Sequence, residues 1–406
     1  MPSMQPNHKL KQFNVFEKYM PSYLPPLLAL EKLHIEFAPH LDSILTTNLV
    51  KLKELSFTCG EYKDFKRLKR FKNSLIKIDV RVMGNNQINV VSLFDVFNEL
   101  TKLETLSLHS LRVCGGFDAI QPNLTLTAIH LYNQQVKPEG FVELYILSCA
   151  NLRTLSLVDC NITDPTLHSI LLILVDLKYL NISCNDSITK EGLKLLSQHR
   201  NIEEIAVHKL IPLNSNTRVV EQDGIVSNCF KGNESLKRIS LSNIMLDDML
   251  PLANIPHLTS LRLGGQAISS QAARALLSCP TIVYLCLFDT TVSDDALSCL
   301  SRNTTLKVIN LCRCRNITPA SSKTLFVDNT TIVEMHLTSV EIVSSGISLL
   351  KQQIKNERLT RQDIMYSSPR LVSLTTSYID ESDKLSLAKR ALKYGIQIVV
   401  DGFSYS

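Results

Sequence analysis

The chain has no tryptophan, and only 13 glycines and 15 prolines in 406 residues. So few backbone breakers exclude a collagen-like or Gly/Pro low-complexity chain. No apolar run approaches the roughly 20 residues of a membrane helix; the longest is Ile170–Val175 with its neighbours. Met1–Phe16 lacks an apolar core of signal-peptide length, so no secretory leader is expected. Eleven cysteines form no C-x-x-C pair, and without an export signal they read as reduced thiols. The expected location is intracellular, cytoplasmic or nuclear. The catalytic signatures G-x-x-x-x-G-K-[ST], H-E-x-x-H and G-x-S-x-G are also missing. No catalytic residue, metal ligand or cofactor site is therefore assigned, and a non-enzymatic role is expected. The formal net charge of +5 is small for this length, which disfavours polyanion binding, nucleic acid included, as the main activity.

What the chain does contain is apolar and periodic. It is 45% hydrophobic and 20% charged, enough to build a large core. Around "CANLRTLSLVDCNITDPTLHSI", the residues Leu152, Leu155, Leu157, Cys160 and Ile162 are spaced L-x-x-L-x-L-x-x-C-x-I. The same frame starts at Leu30, Leu52, Leu75, Leu103, Leu126, Leu152, Leu177, Ile202, Leu236, Leu258, Ile282, Leu306 and Ile332. That is 13 copies, at intervals of 22 to 28 residues and one of 34, with a looser copy at Leu371 and Leu374. Alternation about L-x-L predicts a short strand with one buried face. Segments such as "ITDPTLHSILLIL", "ISSQAARALLSC" and "VSDDALSCLSRN" predict helices, begun by Thr163 or Asp164 with Pro165, and by Ser293 with Asp294. A unit this short cannot bury its own apolar face, so neighbouring copies must stack.

This frame resembles the leucine-rich repeat. "CANLRTLSLVDCNITDPTL" and "LKVINLCRCRNITPASSKTL" are similar to the cysteine-containing subtype of F-box-associated proteins. Intervals of 25 to 28 are similar to those of ribonuclease-inhibitor-like repeats. The resemblance covers roughly residues 30 to 400 and implies an α/β fold. That fold is one continuous leucine-rich-repeat solenoid, a horseshoe with a parallel concave sheet and a mostly helical convex side. An N-terminal cap is expected over 1–29, the array over 30–379 with an insertion at 211–235, and a C-terminal cap over 380–406. In the C-terminal cap a helix with Leu385, Ala388 and Leu392 on its core face would end at Gly395.

The functional class implied is a protein-binding scaffold, monomeric and without cofactor, that takes a protein partner on its concave face. Family analogy adds alternatives: a substrate-recognition subunit of a ubiquitin ligase, a small-GTPase regulator, or a bacterial effector directed at a host. No F-box is recognisable; "LPPLLALEKL" runs straight into the first repeat. Cys160, Asn185 and Cys314 hold the ninth position of the frame, where a buried side chain can bond backbone groups, so they are read as structural. Eight N-x-S/T sequons, including Asn123, Asn233, Asn303 and Asn329, are read as products of the repeat. The basic run from Lys63 to Lys77 is read as a helix with Phe65, Leu68 and Phe71 facing the core. The strand histidines His34, His109, His130, His208 and His336 lie on different repeats and are not expected to share a metal.

Counting positions three, five, seven and eight of the frame gives a candidate partner-binding set: Arg238, Arg262, Tyr284, Phe288 and Arg313. Arginine and aromatic side chains are those most enriched in interface hot spots. Gly264 and Gly265 lie beside them and are expected to open room for a partner group.

Overall fold

In the computed structural model, the period-two alternation of each copy becomes a strand, and the strands lie side by side in parallel. The structure describes residues 10–15, 28–36, 49–59, 65–83, 87–110, 112–114, 122–133, 145–208, 229–230, 232–243, 250–265, 268, 270–356, 371–374, 381–400 and 403–405. The chain divides into two compact units, Met1–Leu195 and Leu196–Ser406.

The first unit holds β1 (Gln12–Val15), β2 (Lys32–Ile35), β3 (Glu54–Cys59), β4 (Lys77–Val82), β5 (Gln87–Asn89), β6 (Thr105–His109), β7 (Arg112–Cys114), β8 (Ala128–Tyr132), β9 (Thr154–Val158) and β10 (Tyr179–Asn181). Eight of these form one parallel sheet in the order β1–β2–β3–β4–β6–β8–β9–β10, while β5 and β7 pair separately. The second unit holds β11 (Glu204–His208), β12 (Arg238–Ser242), β13 (Ser260–Gly264), β14 (Tyr284–Phe288), β15 (Val308–Asn310), β16 (Glu334–Leu337), β17 (Leu371–Leu374), β18 (Gln397–Val400) and β19 (Phe403–Tyr405). β11 to β18 pair in parallel in chain order, and β19 closes antiparallel on β18.

Because the pairing is in register, equal frame positions form straight columns. Fourth-position residues Leu33, Leu55, Ile78, Leu106, Ile129, Leu155 and Leu180 stand beside one another in the first unit, all buried. Ile205, Ile239, Leu261, Leu285, Ile309 and Met335 do the same in the second. Full burial of such side chains stabilises by about 1.5–3 kcal/mol each. The copy expected at Leu371 and Leu374 is placed differently. Val372 pairs with Met335 and takes the fourth position, so Val372 and Leu374 are buried and Leu371 is not.

At most strand starts within each unit, the second and third N–H groups donate to one carbonyl of the preceding repeat, as Ile76 and Lys77 do to Lys53 at 2.7 and 3.0 Å. Strand ends close the other way: the eighth N–H donates to the seventh carbonyl of the following repeat, as from Asp289 to Cys312 at 2.9 Å. The eighth residue turns left-handed as it makes that bond in Ser110, Asn133, Asp159, Asn243, Gly265 and Asp289; Cys184 and Arg313 are left-handed too, and the Arg313 N–H donates to Thr338 Oγ1 at 3.3 Å. Four sequon asparagines, three residues before the first leucine, extend this stitching. Asn123, Asn233, Asn303 and Asn329 are buried, and each donates Nδ2–H to a carbonyl one repeat back, on Phe97, His199, Leu277 and Leu300 respectively. Their Oδ1 atoms accept from the backbone N–H two residues on, at Thr125, Ser235, Thr305 and Thr331. The hydroxyl at that same residue reaches the previous repeat in each case. The N-x-S/T pattern is thus a hydrogen-bonding device of the repeat.

The returning segments are more varied than the expected row of helices. Helices run over Val90–Glu99, Asp164–Ile173, Ser270–Leu277, Val340–Lys355 and Glu381–Leu392, with single turns at Lys190–Lys194, Leu250–Ala253 and Asp294–Leu297. Elsewhere 3₁₀ turns serve, including Phe65–Phe71 in the basic run, where Phe65, Leu68 and Phe71 are buried as expected. A spacing of three suits a 3₁₀ helix, in which residues three apart eclipse. The helix-start acids behave unexpectedly: Asp164 and Asp294 accept from the N–H and hydroxyl of Thr189 and Thr318, one repeat on. The side chains of Thr163 and Ser293 make no cap bond to their own helices.

At the C-terminal end, Gly395 (φ 75°) stops the helix as the sequence implied, and Ile396, Ile398 and Val400 behind it are buried. The buried helix face, however, is Leu387, Ala388 and Ala391; Leu385 and Leu392 are exposed. Two alanines let this helix sit close to β18, which two leucines would prevent. Residues 209–228, most of the expected insertion, and most of the expected N-terminal cap lie outside the described residues. No helix among the described residues is long and apolar enough to cross a membrane.

Removing a sequon amide would strand several buried backbone groups at once. Asn303→Ala and Asn329→Ala should each destabilise by about 2–3 kcal/mol, whereas Asn316→Ala, an exposed sequon asparagine with one bond to Thr291, should cost under about 1 kcal/mol. Urea denaturation checks this; equal midpoints for the three variants would contradict it.

Candidate functional site

The sheet face turned away from the leucine core carries the odd positions of the frame. In the second unit the third-position column reads Glu204, Arg238, Ser260, Tyr284, Val308 and Glu334. Its fifth-position column reads Ala206, Ser240, Arg262, Cys286, Asn310 and His336. Four of the five sequence-predicted residues come together on β14. The Arg262 guanidinium, reaching from β13, lies 5.0 Å from the Tyr284 ring centroid. From the other side, the Arg313 guanidinium lies 5.2 Å from that of Phe288. Tyr284 and Phe288 are four residues apart on one strand, roughly 13 Å at ~3.3 Å per residue, so each ring holds its own arginine instead of stacking on the other. Cys286 lies between them, almost buried, and burial pushes its thiol above the ordinary range.

Arg238 stands apart. Its guanidinium pairs with Glu204 at 2.6 Å, on the side away from β14. The acids on this face are engaged: Glu204 by Arg238, and Glu334 by the His336 imidazole at 2.9 Å. Among the described residues, no carboxylate comes within ion-pair distance of Arg262 or Arg313. Gly264 and Gly265 do not open the surface as expected. A Cβ on Gly264 would lie 2.9 Å from Ser242 Oγ, and on Gly265 2.1 Å from Asn243 Oδ1. Their small size admits neighbouring side chains, and Gly265 also supplies the left-handed turn (φ 66°).

A polar cluster on the first unit's open face was not legible as a group. Aligned fifth positions are Asp79, Ser107, His130 and Ser156. Tyr132 stacks on His109 with centroids 4.4 Å apart, and His130 lies 6.5 Å from the same ring. His109 Nε2 stands 3.3 Å from Asp79 Oδ1 without hydrogen-bond geometry, and Ser156 Oγ is buried without a partner. Two histidines 21 positions apart in sequence meet only through strand register. No group of His, Cys, Asp and Glu among the described residues is arranged to hold a metal.

The ninth-position residues behave as read. Asn185 Nδ2 donates to the carbonyls of Leu157, Ile182 and Ser183, and its Oδ1 accepts from the N–H groups of Cys160 and Ile162. Cys314 Sγ donates to the Leu287 carbonyl at 2.8 Å, and burial raises its thiol above the ordinary range. Cys160 is buried against the carbonyls of Leu131 and Val158. Serine at Cys160 or Cys314 should destabilise by about 1–3 kcal/mol. Both thiols should react with iodoacetamide far more slowly than half-buried Cys299; equal native-state rates would refute their burial.

Burial, aided by Lys77 and His109, holds His130 below the ordinary imidazole range of 6.5. The native state therefore binds fewer protons than the unfolded one below about pH 6.5, and stability falls as pH drops into that window. Asp79 also sits below its ordinary value: burial opposes this, but His109, Arg81 and Lys77 outweigh it. Its contribution is full above about pH 4 and is lost only on further acidification, so the two windows separate. Thermal melts between about pH 7 and pH 5.5 should fall less steeply for His130→Asn than for the wild type; identical slopes would exclude His130 as a source.

Residues 148–167 and 176–197 match the family described as Leucine Rich repeat. No curated protein sequence matches the chain. Among solved structures, the chain is similar to one from the Rad7 and Elc1 complex in yeast, at 18% identity over 72% of this chain and 71% of that chain, with a TM-score of 0.45. It is also similar to an internalin (inlF) from Listeria monocytogenes, at 17% identity over 76% and 80%, with a TM-score of 0.42. A chain of the TLR13–ssRNA13 complex is matched at 15% identity over 93% of this chain, with a TM-score of 0.52. This chain spans about half of that one, 53%. At such identities the likeness is one of fold.

Proposed function

We propose that this chain, which has the leucine-rich-repeat fold, is a non-enzymatic scaffold that binds a protein partner on the concave face of its sheet. The proposal includes the array over 30–379, capped by 1–29 and 380–406, and an intracellular setting, cytoplasmic or nuclear. The binding site is centred on β14: Tyr284 and Phe288 form its anchors, Arg262 and Arg313 flank them, and Arg238 marks its edge.

One observation carries the reading. Two aromatic side chains stand on the open sheet face, Phe288 at 37% exposure, and each is covered on one side by an arginine delivered from a neighbouring repeat. A core-filling role would bury these rings, and a purely solvated surface would not hold four such side chains in fixed pairs. Cation–π contacts of this kind stabilise by about 0.5–1 kcal/mol when exposed, and by more once a partner excludes water. Residues of these types, held rigidly on strands, are those that dominate interface energetics.

Alanine at Tyr284 or at Phe288 should weaken partner binding by about 2 kcal/mol or more each, with little change in melting temperature. Affinity capture on the wild-type chain followed by quantitative binding to the variants checks this. Normal binding by both variants, or loss only on unfolding, would place the partner elsewhere.

A further inference from the structure

We infer that the ligand of the β14 site is an acidic peptide segment, engaged through Arg262 and Arg313. This rests on the binding reading above and specifies its chemistry. The charges on this face do not cancel locally. Glu204 is held by Arg238 and Glu334 by His336, which leaves two guanidiniums without a carboxylate among the described residues. Asp289 occupies the position equivalent to Arg313 one repeat earlier, yet the Arg313 guanidinium lies on Phe288 and makes no ion pair with it.

Arg313 carries a second mark. Its backbone is left-handed (φ 61°), a conformation that costs a side-chain-bearing residue and that glycine, asparagine and aspartate tolerate best. The other eighth positions of the second unit with this turn obey the preference: Asn243, Gly265 and Asp289. Arginine is retained at 313 against the local backbone preference, and such strain gathers where a side chain has a task. The ring holds each guanidinium from one side, and a guanidinium meets a carboxylate through paired N–H donors.

The rings set the spacing. Tyr284 and Phe288 place the two cations on the order of 13 Å apart along the strand direction. One small anion cannot span that, whereas a peptide with two acidic side chains can. A single-stranded nucleic acid is the less favoured anion. Base stacking needs open ring faces, and here one face of each ring is already taken. A nearby cation that would track a phosphate backbone, Lys237, is paired to Glu203 at 2.7 Å.

The test uses the full chain and a displayed library of random 12-residue peptides, selected on wild type and counter-selected on the Tyr284→Ala/Phe288→Ala double variant. The expected survivors are enriched in Asp and Glu over the input library. Their affinity should fall about tenfold or more on Arg262→Gln and again on Arg313→Asn, and should weaken as salt rises. Arg313→Asn should meanwhile keep or raise the melting temperature, which a structural role for the arginine would not allow. Survivors that need Tyr284 and Phe288 but show no acidic enrichment and ignore both arginine variants would overturn the inference and leave the β14 reading standing. If no peptide distinguishes wild type from the double variant, the β14 reading fails and this one with it. Displacement of the peptides by a 12-residue oligouridine, bound more tightly and lost on the arginine variants, would overturn it in favour of nucleic acid.

Discussion

No repeat in this protein can satisfy its own polar groups. Within each unit, the first N–H groups of most strands are closed by the carbonyl of the repeat before, and several of the last by the repeat after. Buried asparagine amides and aspartate carboxylates span the same gap on the returning side. Since an unpaired buried polar group costs about 1–3 kcal/mol, a repeat shifted by one residue against its neighbour would lose bonds at three levels at once. The apolar columns then line up as a consequence, and so do the odd-position columns on the open face. The candidate site on β14 depends on this alignment: its arginines come from the repeats on either side, and fixed register brings them to one strand.

The eighth position shows where local preference and use diverge. In eight described copies it turns left-handed, and asparagine, aspartate, serine and glycine fill six of them. Cys184 and Arg313 do not fit that preference. For Arg313 the open-face geometry offers a reason, through Phe288; for Cys184 nothing in the structure explains the choice.

Much of the fold was legible from spacing alone, because leucine alternation is both the pattern and the cause of burial. The columns from Leu30 to Ile332, the structural role of Asn185 and Cys314, and the core side of the basic run all follow from it. What spacing could not supply was anything decided between repeats by side-chain reach. Asp164 and Asp294 have the composition of helix caps, yet their carboxylates go to the next repeat. The C-terminal helix buries Leu387, Ala388 and Ala391 against β18, in place of Leu385 and Leu392. Gly264 and Gly265 looked like open space, and instead make room for Ser242 and Asn243. At the candidate site, frame counting put five residues on one face without their pairing: Arg238 belongs to Glu204, while the other four converge. The meeting of His109, Tyr132 and His130 was not legible because their contacts depend on the neighbouring strand.

The parallel register of the second unit also limits the path that an extended ligand can take. Across the strands, equivalent side chains recur at about 4.8 Å, whereas an extended chain advances about 3.3 Å per residue. The two rulers form a vernier in which roughly two strand steps match three ligand residues. A segment lying across β12 to β16 would meet an equivalent side chain only at every third residue, over every second strand. A segment lying along β14 shares its ruler, so a four-residue separation on the ligand matches the separation of Tyr284 and Phe288. A sheet of this register would match dense patterns lengthwise and sparse ones crosswise, and two rings on a single strand favour the lengthwise direction.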